Sequence, residues 1–227
     1  MELIYSGKTK DVYQLGSNKV LLQFKDEVTG KDGVFDPGAN SVGLTIDGIG
    51  KSGLRLSAYF FKMLTEKGIA THYISSNVEK AQMEVKKANP IGKGLEVICR
   101  YKAVGSFYKR YQTYCTLGQD LDALVEITLK DDDKGDPVIS KATLENLLIL
   151  NSAQYEELEA LTKTIAGHIK NSLEEKNLAL YDIKLEFGYD SEGSLMLIDE
   201  LSAGNMRVYQ NEEYIEPLKL EKLFFDN

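Results

Sequence analysis

Five ionisable residues toward the C-terminal end of this 227-residue chain carry most of its chemical information: Asp182, Lys184, Glu186, Asp199 and Glu200. In Tyr181-Asp182-Ile183-Lys184-Leu185-Glu186-Phe187-Gly188, apolar and ionisable residues alternate with period two. Ile183, Leu185 and Phe187 therefore share one face of a strand, and Asp182, Lys184 and Glu186 the other. Asp190-Ser191-Glu192-Gly193 supplies turn chemistry, after which Leu195-Met196-Leu197-Ile198 runs to the carboxylate pair Asp199-Glu200. A four-residue turn predicts a hairpin with Leu195 opposite Gly188, Leu197 opposite Glu186 and Asp199 opposite Lys184. Asp182, Lys184, Glu186 and Asp199 then meet on one patch. Two carboxylates beside a lysine suit a magnesium nucleotide: the metal takes one or two carboxylates and completes its octahedron with phosphate oxygens and water, while the ammonium neutralises phosphate. An exposed cross-strand ion-pair ladder would show the same pattern and contribute little. Four ionisable groups on so apolar a strand favour a cleft over an open surface.

The rest of the chain must hold this hairpin in place. Its length allows one large domain or two lobes, and 43% hydrophobic with 27% charged residues is ordinary for a soluble globular protein. A net charge of -8 without a cluster of Lys and Arg argues against nucleic acid as partner. Cys99 and Cys115 lack metal-ligand spacing and are expected to be buried thiols in a reducing compartment. The start Met1-Glu2-Leu3-Ile4 is unlike a signal peptide and no apolar run approaches membrane-spanning length, so a cytoplasmic protein is expected.

Leu3 to Tyr5, Val12 to Leu15 and Val20 to Phe24 read as strands, the first two joined by Ser6-Gly7-Lys8-Thr9-Lys10-Asp11, a basic tip able to fold over phosphates. Gly48-Ile49-Gly50-Lys51-Ser52-Gly53 matches G-x-G-x-x-G, but no buried strand leads into it. A Walker A loop at either Gly-Lys-Ser/Thr would need glycine at positions 45 and 2, which are Thr45 and Glu2. The stretch from Gly30 to Gly53 is expected to be a flexible loop or lid, with Asp26, Glu27 and Asp32 at its start, followed by a helix over Leu54 to Lys67 with Leu56, Tyr59, Phe60, Met63 and Leu64 on its apolar stripe. Tyr73-Ile74, Gln82 to Val85 and Leu95 to Arg100 read as strands, the last with Glu96 and Arg100 outward. A boundary in the region 86–94 divides the chain into lobes 1–88 and 89–227. Gly105-Ser106 opens a short helix that offers N–H groups and a hydroxyl to an anion, with Arg100 adding a bidentate grip. The segment Lys130 to Pro137 reads as a polar turn, Ser152 as the cap of a long helix to about Lys176, and His72 and His168 as incidental.

With these pieces in order, the chain resembles the SAICAR synthetase family from Tyr5 to about Arg207. The resemblance rests on Gly7-Lys8-Thr9-Lys10-Asp11-Val12-Tyr13, on Leu95-Glu96-Val97 through Arg100 to Gly105-Ser106 and Lys109-Arg110, on Lys130-Asp131-Asp132 with Gly135-Asp136-Pro137, and above all on Asp182 to Gly188 followed by Asp199-Glu200-Leu201-Ser202. It implies an α+β fold of two lobes, an antiparallel N-terminal sheet covering ATP, similar to a kinase or ATP-grasp lobe, and a larger α+β C-terminal lobe. It also implies a ligase of purine biosynthesis: ATP phosphorylates the carboxylate of carboxyaminoimidazole ribonucleotide, and the amine of aspartate attacks the acyl phosphate. Carried over, Lys8, Lys10 and Val12 belong to the ATP site, and Glu186 and Asp199 bind Mg2+. Arg100, Ser106 and Arg207 bind the 5′-phosphate, Asp182 and Lys184 lie near substrate, and Lys184, Glu186 and Asp199 form the catalytic set. The family also implies a homo-oligomer.

The chain departs from the family pattern at Tyr101, where Asn is usual, at Ile49 to Leu54, where Lys-Gly-x-x-Asn-Asn is usual, and at Ala203-Gly204, which replace Pro-Asp. It also ends soon after Pro217, where a closing helix is common. These departures predict a divergent member, changed where the imidazole and amino acid would be read. The competing readings are a paralogue acting on another carboxylate or amine, a nucleotide-binding relative without catalysis, and a kinase-like phosphotransferase with Asp182 as base.

Overall fold

The computed structural model describes residues 1–31, 33–36 and 41–226. The chain opens with strands β1 (Glu2–Ser6), β2 (Lys10–Gln14) and β3 (Lys19–Phe24), in which Val20, Leu22 and Phe24 alternate into the core. Then come β4 (Glu27–Lys31), β5 (Val34–Phe35) and β6 (Val42–Thr45), which pair among themselves, and helix α1 (Ile49–Glu66). Strands β7 (Tyr73–Asn77) and β8 (Gln82–Lys86) complete a five-stranded sheet of order β1-β2-β3-β8-β7.

The second half contains β9 (Asn89–Pro90), β10 (Leu95–Lys102), helix α2 (Gly105–Tyr111) and β11 (Asp120–Leu129). After a helical turn over 132–134 follow α3 (Lys141–Asn146), α4 (Ser152–Glu174), β12 (Ala179–Tyr189), β13 (Leu195–Ile198), β14 (Met206–Gln210), β15 (Glu213–Tyr214) and α5 (Pro217–Asp226). The seven-stranded sheet runs β11-β10-β12-β14-β15, with β9 and β13 on the far part of β12. Every ladder between named strands is antiparallel, with helices packed alongside, so the class is α+β as expected.

Several expectations are corrected. The Gly30 to Gly53 stretch is no plain loop: it contributes β4, β5 and β6 and the first turn of α1, which starts at Ile49 rather than Leu54. Asp26 explains the early start, because its carboxylate accepts from the N–H groups of Gly48 at 3.2 Å and Gly50 at 2.9 Å and so caps the helix from a distance. A side chain at Gly50 would meet the Lys25 carbonyl at 2.8 Å, so that glycine serves close packing and not a dinucleotide. Asp32 lies outside the described residues. On α1 the deeply buried residues are Leu54, Leu56, Phe60, Phe61 and Leu64, whereas Tyr59 is exposed and Met63 half-buried. Its outer side meets α5, where the Tyr59 and Phe224 rings cross edge-on at 4.9 Å, so the chain does close on a helix. Asn151, not Ser152, caps α4 in a reciprocal box with Gln154, and Ile165 and Ile169 of α4 are fully buried. Cys99 is buried but Cys115 only half-buried.

Candidate active site

The site is built on three neighbouring strands. Ladder pairing puts Glu186, Lys184 and Asp182 of β12 beside Glu96, Ile98 and Arg100 of β10, which in turn lie beside Thr128, Glu126 and Leu124 of β11. Ile183, Leu185 and Phe187 point the other way and are at most 2% exposed, so the alternation read from sequence holds along the strand. Glu96 and Arg100 are not outward to solvent; they are buried and face the same cleft as Asp182. Pairing Asp182 with Arg207 of β14 adds a fourth row.

The hairpin register differs from expectation by one residue. Glu186 faces Ile198 and Gly188 faces Met196, because the loop holds five residues, closed by Asp190 N–H on the Ser194 carbonyl at 3.0 Å and by the Asp190 carboxylate on the N–H groups of Glu192 and Ser194. A one-residue slip should turn Asp199 toward the core. It does not, because the strand ends at Ile198 and Asp199 adopts φ 68°, which breaks the alternation and returns its carboxylate to the cleft.

Over this floor lies a cavity of about 520 Å³, within the range of small-molecule sites. Val12, Val20, Leu22, Val28 and Val85 supply an apolar wall, and Gly7, Lys8, Thr9 and Lys10 its rim. At the rim, Lys10 Nζ lies 2.9 Å from Asp199 Oδ1 and 3.0 Å from Glu200 Oε1, Lys130 Nζ donates to Glu186 at 2.6 Å, and Lys184 Nζ donates to Glu96 at 2.7 Å. Burial would lower the Lys10 ammonium, yet Asp199 and Glu200 hold it above its ordinary value; burial and Glu186 act in the same opposed way on Lys130. Asp199 is held well below the usual carboxylate range by Lys10, Lys130 and Lys184 despite its burial. Glu186 is pushed up, first by burial and then by the Asp199 charge. Two close carboxylates with one ionised reluctantly form a site that a divalent cation would satisfy. Among the described residues no group of three or more His, Cys, Asp and Glu could hold a metal ion.

At the other end, Arg100 donates to Glu126 at 2.6 Å, to Asp182 at 2.9 Å and to the Ser106 hydroxyl at 3.0 Å. Arg207 donates to Asp182 at 2.9 Å. Gly105 opens α2 against this guanidinium at φ 55°, and a side chain there would come within 2.6 Å of Arg207 Cζ.

The family model for SAICAR synthetase matches residues 3–226. The chain belongs to the SAICAR synthetase family. It is 57% identical over 227 residues, all of both chains, to the phosphoribosylaminoimidazole-succinocarboxamide synthase of Clostridium tetani. To that of Caldivirga maquilingensis it is 34% identical, over 95% of this chain and 85% of the relative. Among solved structures, a SAICAR synthetase in complex with ADP superposes with a TM-score of 0.82 at 30% identity, covering 99% of this chain and 91% of the other. The Ehrlichia chaffeensis enzyme gives 0.83 at 29% identity, covering 94% and 88%.

Within this SAICAR synthetase fold, all the residues named from sequence line the one cavity: Lys8, Lys10, Val12, Arg100, Ser106, Asp182, Lys184, Glu186, Asp199 and Arg207. Sequence reasoning missed others. Lys130 and Asp132, read as part of a turn, reach Glu186 and Lys8, the latter at 2.7 Å. His72, read as incidental, is 4% exposed on the cavity wall beside Asp199, its Nε2 has no partner, and burial pushes its imidazole down to about 4. No local pattern could have found it, since its place depends on the backbone bond from His72 N–H to the Leu197 carbonyl at 2.9 Å. Of the departures from the family pattern, Gly204 lines the cavity and Tyr101 does not. Tyr101 is on the opposite face of β10 from Arg100, the face it shares with Cys99. Ser52, Gly53, Ala203 and Gly204 line one small chamber of about 30 Å³ behind Glu200, so two departures distant in sequence are neighbours in space.

Proposed function

We propose that the protein is an ATP- and Mg2+-dependent carbon–nitrogen ligase that joins aspartate to carboxyaminoimidazole ribonucleotide, yielding the succinocarboxamide, ADP and phosphate, in purine biosynthesis. The observation that carries this is the full-length 57% identity to a synthase of that name, which also weighs against a divergent paralogue because it spans both chains end to end. The cavity supports the reading. Its apolar wall around Val12, Val20, Leu22 and Val85 suits a purine, and Lys8 and Lys10 line the same cavity as cations for a phosphate chain.

Glu186 and Asp199 would hold the magnesium, which supplies charge neutralisation for phosphoryl transfer when bound. Lys10, Lys130 and Lys184, each paired with a carboxylate, are the cations available to the γ-phosphoryl as it passes to the substrate carboxylate. The amine then forms the C–N bond, losing a proton as phosphate leaves the acyl carbon, and needs positioning rather than a covalent nucleophile. Arg100, Ser106 and Arg207 would fix the 5′-phosphate, and Asp182 would orient both arginines. We place the ATP-covering lobe in residues 1–88 and the metal and substrate lobe in 89–227, in a cytoplasmic homo-oligomer; the structure itself shows no helix long and apolar enough to cross a membrane among the described residues. The test is ADP release from ATP, Mg2+ and carboxyaminoimidazole ribonucleotide with and without aspartate. Aspartate-dependent ADP with the succinocarboxamide product is expected, and ATP binding without turnover would move the assignment to another carboxylate or amine.

A further inference from the structure

The guanidinium end of the cavity holds more cations than the 5′-phosphate alone would require. Arg100, Arg207, Arg110 and Lys109 converge there, answered by three carboxylates. Glu126 accepts from Arg100 and Arg110, Asp182 from Arg100 and Arg207, and Asp36 accepts from Arg207 Nη2 at 3.0 Å while lying 3.5 Å from Lys109 Nζ. Among the described residues, four cations against three carboxylates leave one positive charge.

The three carboxylates are not equivalent. Glu126 and Asp182 stand on β11 and β12, with side chains 9% and 3% exposed. Asp36 follows β5, far away in sequence, and its side chain is 34% exposed. A phosphate monoester carries nearly two negative charges near neutral pH and needs N–H donors pointing at it. On Arg207, Nη1 is given to buried Asp182 and Nη2 to Asp36. The second is the donor that can be released without stripping a buried pair, which would be costly. With Asp36 withdrawn, the cluster carries two positive charges and matches the dianion.

We propose that Asp36 is a placeholder carboxylate in the phosphate subsite: it neutralises Arg207 and Lys109 when no phosphate does so, gives way to the 5′-phosphate, and thereby sets the affinity of the subsite. This rests on assigning the 5′-phosphate to Arg100, Ser106 and Arg207. Asp36 is an affinity-setting residue outside the reacting atoms, and its removal should improve binding, which loss of a merely structural contact would not do.

The experiment is calorimetric titration of the full chain with ribose 5-phosphate, and separately with ATP, for the native protein, Asp36→Asn and Arg207→Ala. Asp36→Asn should bind ribose 5-phosphate about fivefold more tightly, the scale of a partly exposed ion pair, with ATP unchanged. Unchanged or weaker binding in Asp36→Asn, with binding lost in Arg207→Ala, overturns the competition while leaving the subsite in place. Unchanged binding in Arg207→Ala removes the phosphate from this subsite and overturns both.

Discussion

The two ends of the cavity solve the same problem, holding opposite charges out of water, with different cations. At the end that holds Glu186 and Asp199 the cations are lysines, and Lys10 divides its ammonium between Asp199 and Glu200. At the end that holds Asp182 they are mainly arginines, and Arg100, 1% exposed, spends its fork on Glu126, Asp182 and Ser106. An ammonium is a point charge on a flexible stem and can turn from a carboxylate to an incoming phosphate; a guanidinium bonds in fixed directions and keeps its neighbours in register. The lysine end is therefore built for pairs that exchange during the reaction. The Arg100 side is built for pairs that persist, and the proposed displacement of Asp36 would be the exception among the described residues.

The most severe way to break this contrast is to remove the exchanging carboxylates. Glu186→Gln and Asp199→Asn should each lower kcat on the order of 1000-fold, as loss of a group stabilising transition-state charge does, while circular dichroism and thermal melting show a folded protein. Failure to fold, without a specific loss of turnover, would make these residues a structural ladder. Next, Arg100→Lys keeps the charge and loses the fork. It should destabilise the fold by about 3 kcal/mol in urea titration, because Glu126 and Asp182 would be left incompletely paired. The reciprocal Lys130→Arg should stay within about 1 kcal/mol, since Lys130 itself is half-exposed at the rim and the charge beside Glu186 is kept. Equal losses would erase the distinction between the two ends.

A finer effect comes from Lys130→Met. Lys130 opposes the burial that pushes Glu186 up, so removing it should raise Glu186 further. The acid limb of the kcat profile then moves to higher pH, and a limb that stays in place would separate Lys130 from Glu186. The smallest effect concerns the far face of β10, the strand that carries Arg100. Burial pushes the Cys99 thiol up to about 11 from 9.0. Between those values the unfolded chain loses its proton while the folded chain keeps it, so stability should fall as pH rises through this window. Cys99→Ala should flatten that fall in urea titrations across the same pH range.

The cleft-facing set on β12 was legible because period-two alternation needs only local sequence, and the cavity gathers the residues that alternation selected. The register was not legible, because one extra residue in the Asp190 to Ser194 loop has no strong local signature. Asp199 reached the cleft for a different reason than the assumed pairing, its left-handed backbone. Lys130 and Asp132 stood out as part of a family motif, but their segment has the composition of any polar turn, so their pairing with Glu186 and Lys8 was not legible.

Residue type and spacing were enough for the two faces of β12 and for the identity of the family. Only the tertiary structure decided which charge answers which. Lys130 with Glu186, Lys10 with Asp199, Arg100 with Glu126 and Arg207 with Asp36 join residues from separate elements. Coulomb attraction depends on distance and burial, and neither exists until the strands are laid side by side.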